Sequence, residues 1–202
     1  MHGEARDFTL YVKNTFPEFF EGEKTILDVG SADINGNNRF LFDESCKYNG
    51  NDVVQSENVT IVSTTSELPF EDEYFDTIIS TECFEHDMNY KESFKKIEKM
   101  LKPGGLFVFT CASTDRPEHG TLRTSEKASK TTEINNEEWA NYYKNLVASD
   151  VTECLNVENF SPYAFYTNTK SHDLYFWGIK GNNERTFTHY SGEGVTLDFE
   201  KK

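Results

Sequence analysis

Short strand-like runs recur between Thr25 and Thr110 with helix-like or turn-like stretches between them, and that alternation restricts the chain to few architectures. Thr25-Ile26-Leu27-Asp28-Val29-Gly30 reads as a buried strand stopped by glycine, and Lys47 to Asp52 as a second strand running into a turn. Val59 to Ser63, Phe75 to Ser80 and Leu106 to Thr110 supply three more, rich in the β-branched and aromatic residues that suit a pleated surface. Between the last two, Phe94, Ile97, Met100 and Leu101 fall at helical spacing, and Lys102-Pro103-Gly104-Gly105 ends that helix. A second helix is expected to start at Asn38 to Phe42, and Glu137 to Leu155 is helical in pattern. Ala5 to Phe20 is also roughly helical, broken at Pro17, and suits a cover or lid.

Strands that alternate with helices imply βαβ units and a mostly parallel sheet covered on both faces. Two late apolar runs, Phe160 to Thr167 and Asp173 to Lys180, are expected to close the sheet as a hairpin-like pair. A length of 202 residues fits one domain. Its expected extent is 1–181, with a core at 24–113, an acceptor-side loop and helices at 114–159, and closing strands at 160–181. Residues 182–202 read as a polar C-terminal tail with room for short strands.

Composition narrows the partners. A formal charge of −15 repels polyphosphates and acidic membrane surfaces at long range, so neither nucleic acid nor membrane is expected as a partner. No stretch reaches the roughly 18 apolar residues of a membrane helix, and the start Met1 to Asp7 lacks a secretory pattern, so a cytoplasmic location is expected. Cys46, Cys83, Cys111 and Cys154 are irregularly spaced with no Cys-x-x-Cys pair, which argues against a zinc site or a disulfide framework.

In open α/β sheets, ligands bind beyond the carboxyl ends of the strands where the strand order reverses. The first strand-to-helix turn is Gly30-Ser31-Ala32-Asp33-Ile34-Asn35-Gly36, where glycine lets the backbone approach a ligand and a following helix would offer free amides. It is neither the Gly-x-Gly-x-x-Gly of dinucleotide enzymes nor a phosphate loop. Asp52, 22 positions after Gly30, is either a ribose-binding carboxylate or an ordinary turn aspartate.

The order and spacing of Ile26 to Gly30, Ser66-Glu67-Leu68-Pro69-Phe70, Phe75 to Ser80 and Leu101 to Gly105 resemble the class I methyltransferase domain, firmly over Thr25 to Ser113. A narrower likeness is to the methyltransferase type 11 kind, carried by Gly30 to Gly36, Glu85-His86-Asp87 and Arg116-Pro117-Glu118-His119-Gly120. The resemblance implies a Rossmann-like α/β fold with a mostly parallel seven-stranded sheet and S-adenosyl-L-methionine as cofactor. It implies Asp28 and Gly30 at the methionine end, Ser31 among the cofactor-binding residues, Asp52 on the ribose, Glu67 and Leu68 beside adenine, and Glu82 near the sulfonium. Thr64 and Ala32 depart from the family pattern, at the adenine-binding aspartate and at the second glycine of the first loop.

Methyl transfer depends on holding the acceptor in line with the methyl group and on a base for its proton. His86, after strand four, and His119, after strand five, are the two candidates; a helix-capping role and a surface loop are the alternatives. Arg116 is either an anchor for an acceptor carboxylate or phosphate or a surface ion pair. Tyr142 and Tyr143, with Trp139, either wall the acceptor pocket or simply pack. Ser80-Thr81-Glu82-Cys83 stands where nucleobase-amine methyltransferases carry Asn/Asp-Pro-Pro-Tyr/Phe, which turns the expectation towards a small polar acceptor such as a sugar or glycan precursor. No metal ligand set is legible, so metal-independent transfer is expected. A non-catalytic adenosine-binding scaffold of the same fold is the alternative function.

Overall fold

The computed structural model describes residues 1–202. Eight strands form one sheet: β1 (Thr25–Val29), β2 (Lys47–Asp52), β3 (Ile61–Val62), β4 (Phe75–Thr81), β5 (Leu101–Ala112), β6 (Phe160–Asn168), β7 (Asp173–Asn182) and β8 (Val195–Lys201). Their order is β3-β2-β1-β4-β5-β7-β6-β8. The pairings among β1 to β5 are parallel. Those of β7 with β5 and β6, and of β8 with β6, are antiparallel. The order reverses between β1 and β4, and this places the ligand crevice at the ends of β1, β2 and β4.

The central strands are apolar on both faces because both faces are covered. Phe107, Phe109 and Cys111 join one core with Phe84, Phe165 and Phe176, and Leu106 and Val108 join the other with Tyr175, Trp177 and Ile179. Helix α1 (Gly3–Thr15) lies on the second face through Ala5, Phe8, Thr9 and Val12, with Phe8 stacked on Tyr175 at 4.6 Å between ring centroids. Helix α2 (Tyr90–Met100) buries Tyr90, Ser93, Phe94, Ile97 and Met100 against the first face. The aromatic share of 14% thus carries much of the burial in a chain whose hydrophobic fraction is only 36%. No helix is long and apolar enough to cross a membrane.

Three sequence expectations are corrected. The sheet has an eighth strand, because residues 195–201 of the expected tail pair with β6 and bring Phe199 to 4.8 Å from Phe165. No α-helix follows β1: Arg39–Leu41 is a single 3-10 turn. The preceding Asp and Asn side chains capture local amides there, with Asp33 accepting from Gly36 N–H at 2.8 Å and Asn37 from Arg39 N–H at 2.9 Å. Glu137 to Leu155 is not one helix but two short ones, α3 (Glu137–Ala140) and α4 (Ala148–Thr152). The segment between them is held extended, since Lys144 N–H donates to the Glu85 carbonyl and Leu146 N–H to the Ala112 carbonyl, each at 2.9 Å.

Candidate functional site

A cleft of about 1100 Å³, open mouth included, lies at the ends of β1, β2 and β4. Its floor is the turn after β1. Gly30 has φ +70°, and a Cβ there would stand 2.5 Å from Cys83 Sγ, so a side chain is excluded both by conformation and by space. The Gly30 and Ser31 N–H groups both donate to the Asn51 carbonyl, at 2.9 and 3.0 Å. They are therefore spent on the sheet, and the expected row of free helix-end amides is absent. The Ser31 hydroxyl donates to the Asn58 carbonyl at 3.2 Å.

Two carboxylates flank this turn. Asp28 is fully buried, yet accepts hydrogen bonds from Asn38 Nδ2 at 2.9 Å and from the Tyr48 hydroxyl at 2.5 Å. Burial outweighs both bonds and pushes its carboxyl up to about 6. Asp52, at the end of β2, accepts from Ala32 N–H at 3.2 Å and from its neighbour Val53 N–H at 2.8 Å. Burial raises its carboxyl as well. Asn38 Oδ1 and Asn51 Oδ1 are buried beside them without any hydrogen-bond partner. Buried polar atoms are normally paired, so these two fit a polar ligand seated on the turn.

The cleft's second wall is charged. Glu82 holds φ +54°, accepts from the Thr110 hydroxyl at 2.8 Å, and faces His2 Nε2 at 3.2 Å. His2 Nε2 also lies 3.1 Å from Asp173, and Arg116 Nη1 reaches Asp173 at 3.1 Å. Burial would discharge His2, but its bonds to Asp173 and Glu82 dominate and lift its pKa to about 10. Burial likewise works against ionised Glu82, and His2 reverses that and keeps its carboxyl below the usual value. Arg116 Nη1 also donates to the Ser171 carbonyl. The arginine lines the cleft with its guanidinium already engaged by Asp173.

At the mouth, His86 sits in a 3-10 turn after β4 (Phe84–His86), and His119 on the loop after β5. Their rings lie 5.1 Å apart and nearly perpendicular. Gly120, at φ +63°, allows the contact, because a Cβ there would stand 2.6 Å from His86 Cε1. Burial, then the neighbouring His119, push His86 down to about 3, so its imidazole is neutral near pH 7. His119 Nδ1 is 3.1 Å from the Pro117 carbonyl. A carbonyl can only accept, so in the neutral ring the proton is on Nδ1 and the lone pair on Nε2. Tyr143 packs 5.5 Å from His86 and 5.1 Å from His119 between ring centroids.

Of the residues singled out in the sequence, Asp28, Gly30, Ser31, Asp52, Glu82, His86, Arg116 and His119 all line this cleft. Glu67 and Leu68 do not. Leu68 is buried in the hydrophobic core, and Glu67 is exposed and accepts from the Thr64 hydroxyl at 2.9 Å; Ser63, Thr64 and Thr65 form the wall there instead. Tyr142 and Tyr143 also lie outside the lining, whereas Trp139 lies within it. His2, Asn38 and Ser129 to Thr131 line the cleft without having been legible in the sequence. His2 and Asp173 carry no local motif, and only the packing of α1 and β7 brings them to Glu82.

The methyltransferase-domain family, of type 11, matches residues 28–109. No curated protein matches the chain by sequence. Among solved structures, the chain is similar to a Burkholderia thailandensis 1,6-didemethyltoxoflavin-N1-methyltransferase holding 1,6-didemethyltoxoflavin and S-adenosylhomocysteine. The TM-score is 0.59 at 15% identity, over 89% of this chain and 80% of that one. The YcgJ protein of Bacillus subtilis gives a TM-score of 0.59 at 13% identity, over 90% of this chain and 100% of that one. A Haemonchus contortus phosphoethanolamine N-methyltransferase 2, bound to phosphomonomethylethanolamine and S-adenosylhomocysteine, gives 0.58 at 16%, over 88% of this chain and 53% of that one. Residues 28–109 thus match a methyltransferase-domain family, and the chain as a whole has the Rossmann-like class I methyltransferase fold.

Proposed function

We propose that the chain binds S-adenosyl-L-methionine in this cleft and passes its methyl group to an oxygen or nitrogen of a small polar acceptor. The observation that carries the reading is the Gly30 turn at the sheet's switch point, with Asp28 buried beneath it and Asp52 beside it. Asp28 and the unpartnered Asn38 Oδ1 offer acceptors for the ammonium of the methionine end. Asp52 offers a carboxylate to the ribose hydroxyls, and Ser63 to Thr65 border the base. When bound, the cofactor supplies an electrophilic methyl; the acceptor's lone pair forms the new bond as the C–S bond breaks and its electrons return to sulfur. Orientation by the walls supplies much of the acceleration of such a displacement.

The acceptor's proton needs a taker. A nitrogen base works best with a pKa near the ambient pH, and His86, held near 3, is a poor one. His119, with its Nε2 lone pair at the mouth, is the better placed. Arg116 shapes the acceptor end through Glu82 and Asp173 rather than by offering a free guanidinium. The acceptors named for the two ligand-bound structural neighbours are small polar molecules, which fits a cleft of this size.

Calorimetric titration with S-adenosyl-L-methionine, followed by incubation with methyl-labelled cofactor and fractionated small metabolites, tests the reading. One-to-one binding that is lost in Asp52→Ala, with label appearing in a small molecule, is expected. A parent protein that ignores the cofactor would end the proposal, and binding without any transfer of label would favour a non-catalytic adenosine-binding role.

A further inference from the structure

Glu85 is the most anomalous side chain in the protein. It is fully buried, and neither carboxylate oxygen has a hydrogen-bond partner. An unpaired buried carboxylate is costly, so such a group is normally neutralised, paired or bound to a metal. Beside it are His86, whose Nδ1 is buried without a partner, and His119, whose Nε2 lies 3.9 Å from Glu85 Oε1. One ring nitrogen of each histidine and one oxygen of Glu85 all lie within 4.8 Å of one another. In a tetrahedral site with bonds of about 2.1 Å, ligand atoms stand about 3.4 Å apart, so small side-chain rotations bring these three onto one ion.

We infer that Glu85, His86 and His119 form a binding site for a first-row divalent cation at the acceptor end of the cleft. The donor set chooses the class of ion. Two imidazoles and one carboxylate suit zinc, manganese, iron or cobalt, whereas magnesium and calcium favour all-oxygen shells. The supporting geometry is that of a ligand set: the Pro117 carbonyl fixes the His119 tautomer with Nε2 free to coordinate. Gly120 lets the loop after β5 seat against His86, and the Tyr143 ring packs against both histidines. Such a ligand set was not legible in the sequence, for a physical reason. Glu85 and His86 are adjacent, but His119 reaches them only because two loops meet above the sheet. The other convergence of titratable groups, His2 with Glu82 and Asp173, is already closed by ion pairs and contributes nothing to this site.

His86 and His119 both line the cleft, so an ion held by them meets whatever fills the acceptor end. Resting on the methyl-transfer reading, the inference makes the acceptor a molecule with a hydroxyl able to ligate the ion. A bound ion would lower that hydroxyl's pKa enough for its proton to pass to water at the open mouth of the cleft, so that His119 serves as ligand rather than as free base and the oxygen attacks as the alkoxide.

The test is a titration of metal-stripped protein with Co²⁺, followed by its visible absorption, and with Zn²⁺ by calorimetry. One equivalent of each is expected to bind, with ligand-field bands whose intensity reports four- or five-coordination. His119→Ala and Glu85→Gln should each weaken binding at least about tenfold, the lower bound for even outer-shell changes at metal sites. His119 sits on a loop with its side chain 23% exposed, so its variant is expected to stay folded, with an unfolding midpoint close to the parent's. Absence of saturable binding, or binding indifferent to both substitutions, overturns the inference, and so does binding lost in His2→Ala but kept in His119→Ala. Protein that binds S-adenosyl-L-methionine but no Co²⁺ overturns the cation site alone. Uptake of Co²⁺ without cofactor binding supports the site and removes the methyl-transfer reading.

Discussion

Replacing Asp28 with asparagine should make the protein more stable and its cofactor binding weaker, and the two effects should separate with pH. The Asp28 carboxyl ionises at 3.8 when solvated and at about 6 in the folded protein, because burial outweighs the Tyr48 and Asn38 hydrogen bonds. Its folded pKa lies above the unfolded one, so the folded state holds the extra proton between these values. Stability from this group is fully present below 3.8 and is lost as pH rises through about 6. At about 1.36 kcal/mol per pH unit, the whole loss is roughly 3 kcal/mol. Between pH 4.5 and 7.5 the part that develops is about 2 kcal/mol. Asparagine has no such ionisation, so urea unfolding at these two pH values should show the gap between variant and parent opening by that amount in the variant's favour. Cofactor affinity at pH 7.5 should fall roughly ten- to hundredfold, the worth of a hydrogen bond to a charged group. Parallel pH curves for parent and variant would refute the burial argument. Unchanged affinity would refute Asp28 as a contact for the ammonium end.

Three further outcomes follow from the same geometry. His2 has its pKa raised from 6.5 to about 10 by Asp173 and Glu82, against the effect of burial, so the stability it contributes is present below 6.5 and fades as pH rises through about 10; thermal unfolding of His2→Gln should lack that alkaline decline. Gly30→Ala should cost at least the roughly 1–2 kcal/mol of a left-handed conformation, plus the clash at Cys83, and calorimetry should show cofactor binding abolished or severely weakened. Phe199→Ala should destabilise by about 1–2 kcal/mol, less than a core phenylalanine because the ring is 37% exposed, as read by chemical denaturation.

What the sequence by itself determined was mostly periodic or local. The strands of the central sheet were legible because a strand covered on both faces must be a short apolar run, as at Ile26 to Val29 and Leu106 to Thr110. Asp28 and Gly30 were legible because the first strand-to-turn junction is a contiguous motif, whereas Asp52, at the end of the second strand, was singled out only with the help of the family resemblance. The α2 stripe was legible because its spacing needs no partner to be recognised. Only the tertiary structure decided the rest. The stretch around Asn141 to Val147 abandons helical geometry because its backbone finds better partners at the Glu85 and Ala112 carbonyls. Val195 to Lys201 alternates apolar and polar residues and so had room to be a strand, but its place in the sheet is set by the open edge and aromatic row that β6 presents. The cleft's charged wall comes from three distant parts of the chain, with His2, Glu82 and Asp173 within hydrogen-bonding reach only after α1, β4 and β7 have packed. A side chain's local sequence fixes its chemistry, but its protonation and its partners are set by burial and by neighbours that the fold supplies.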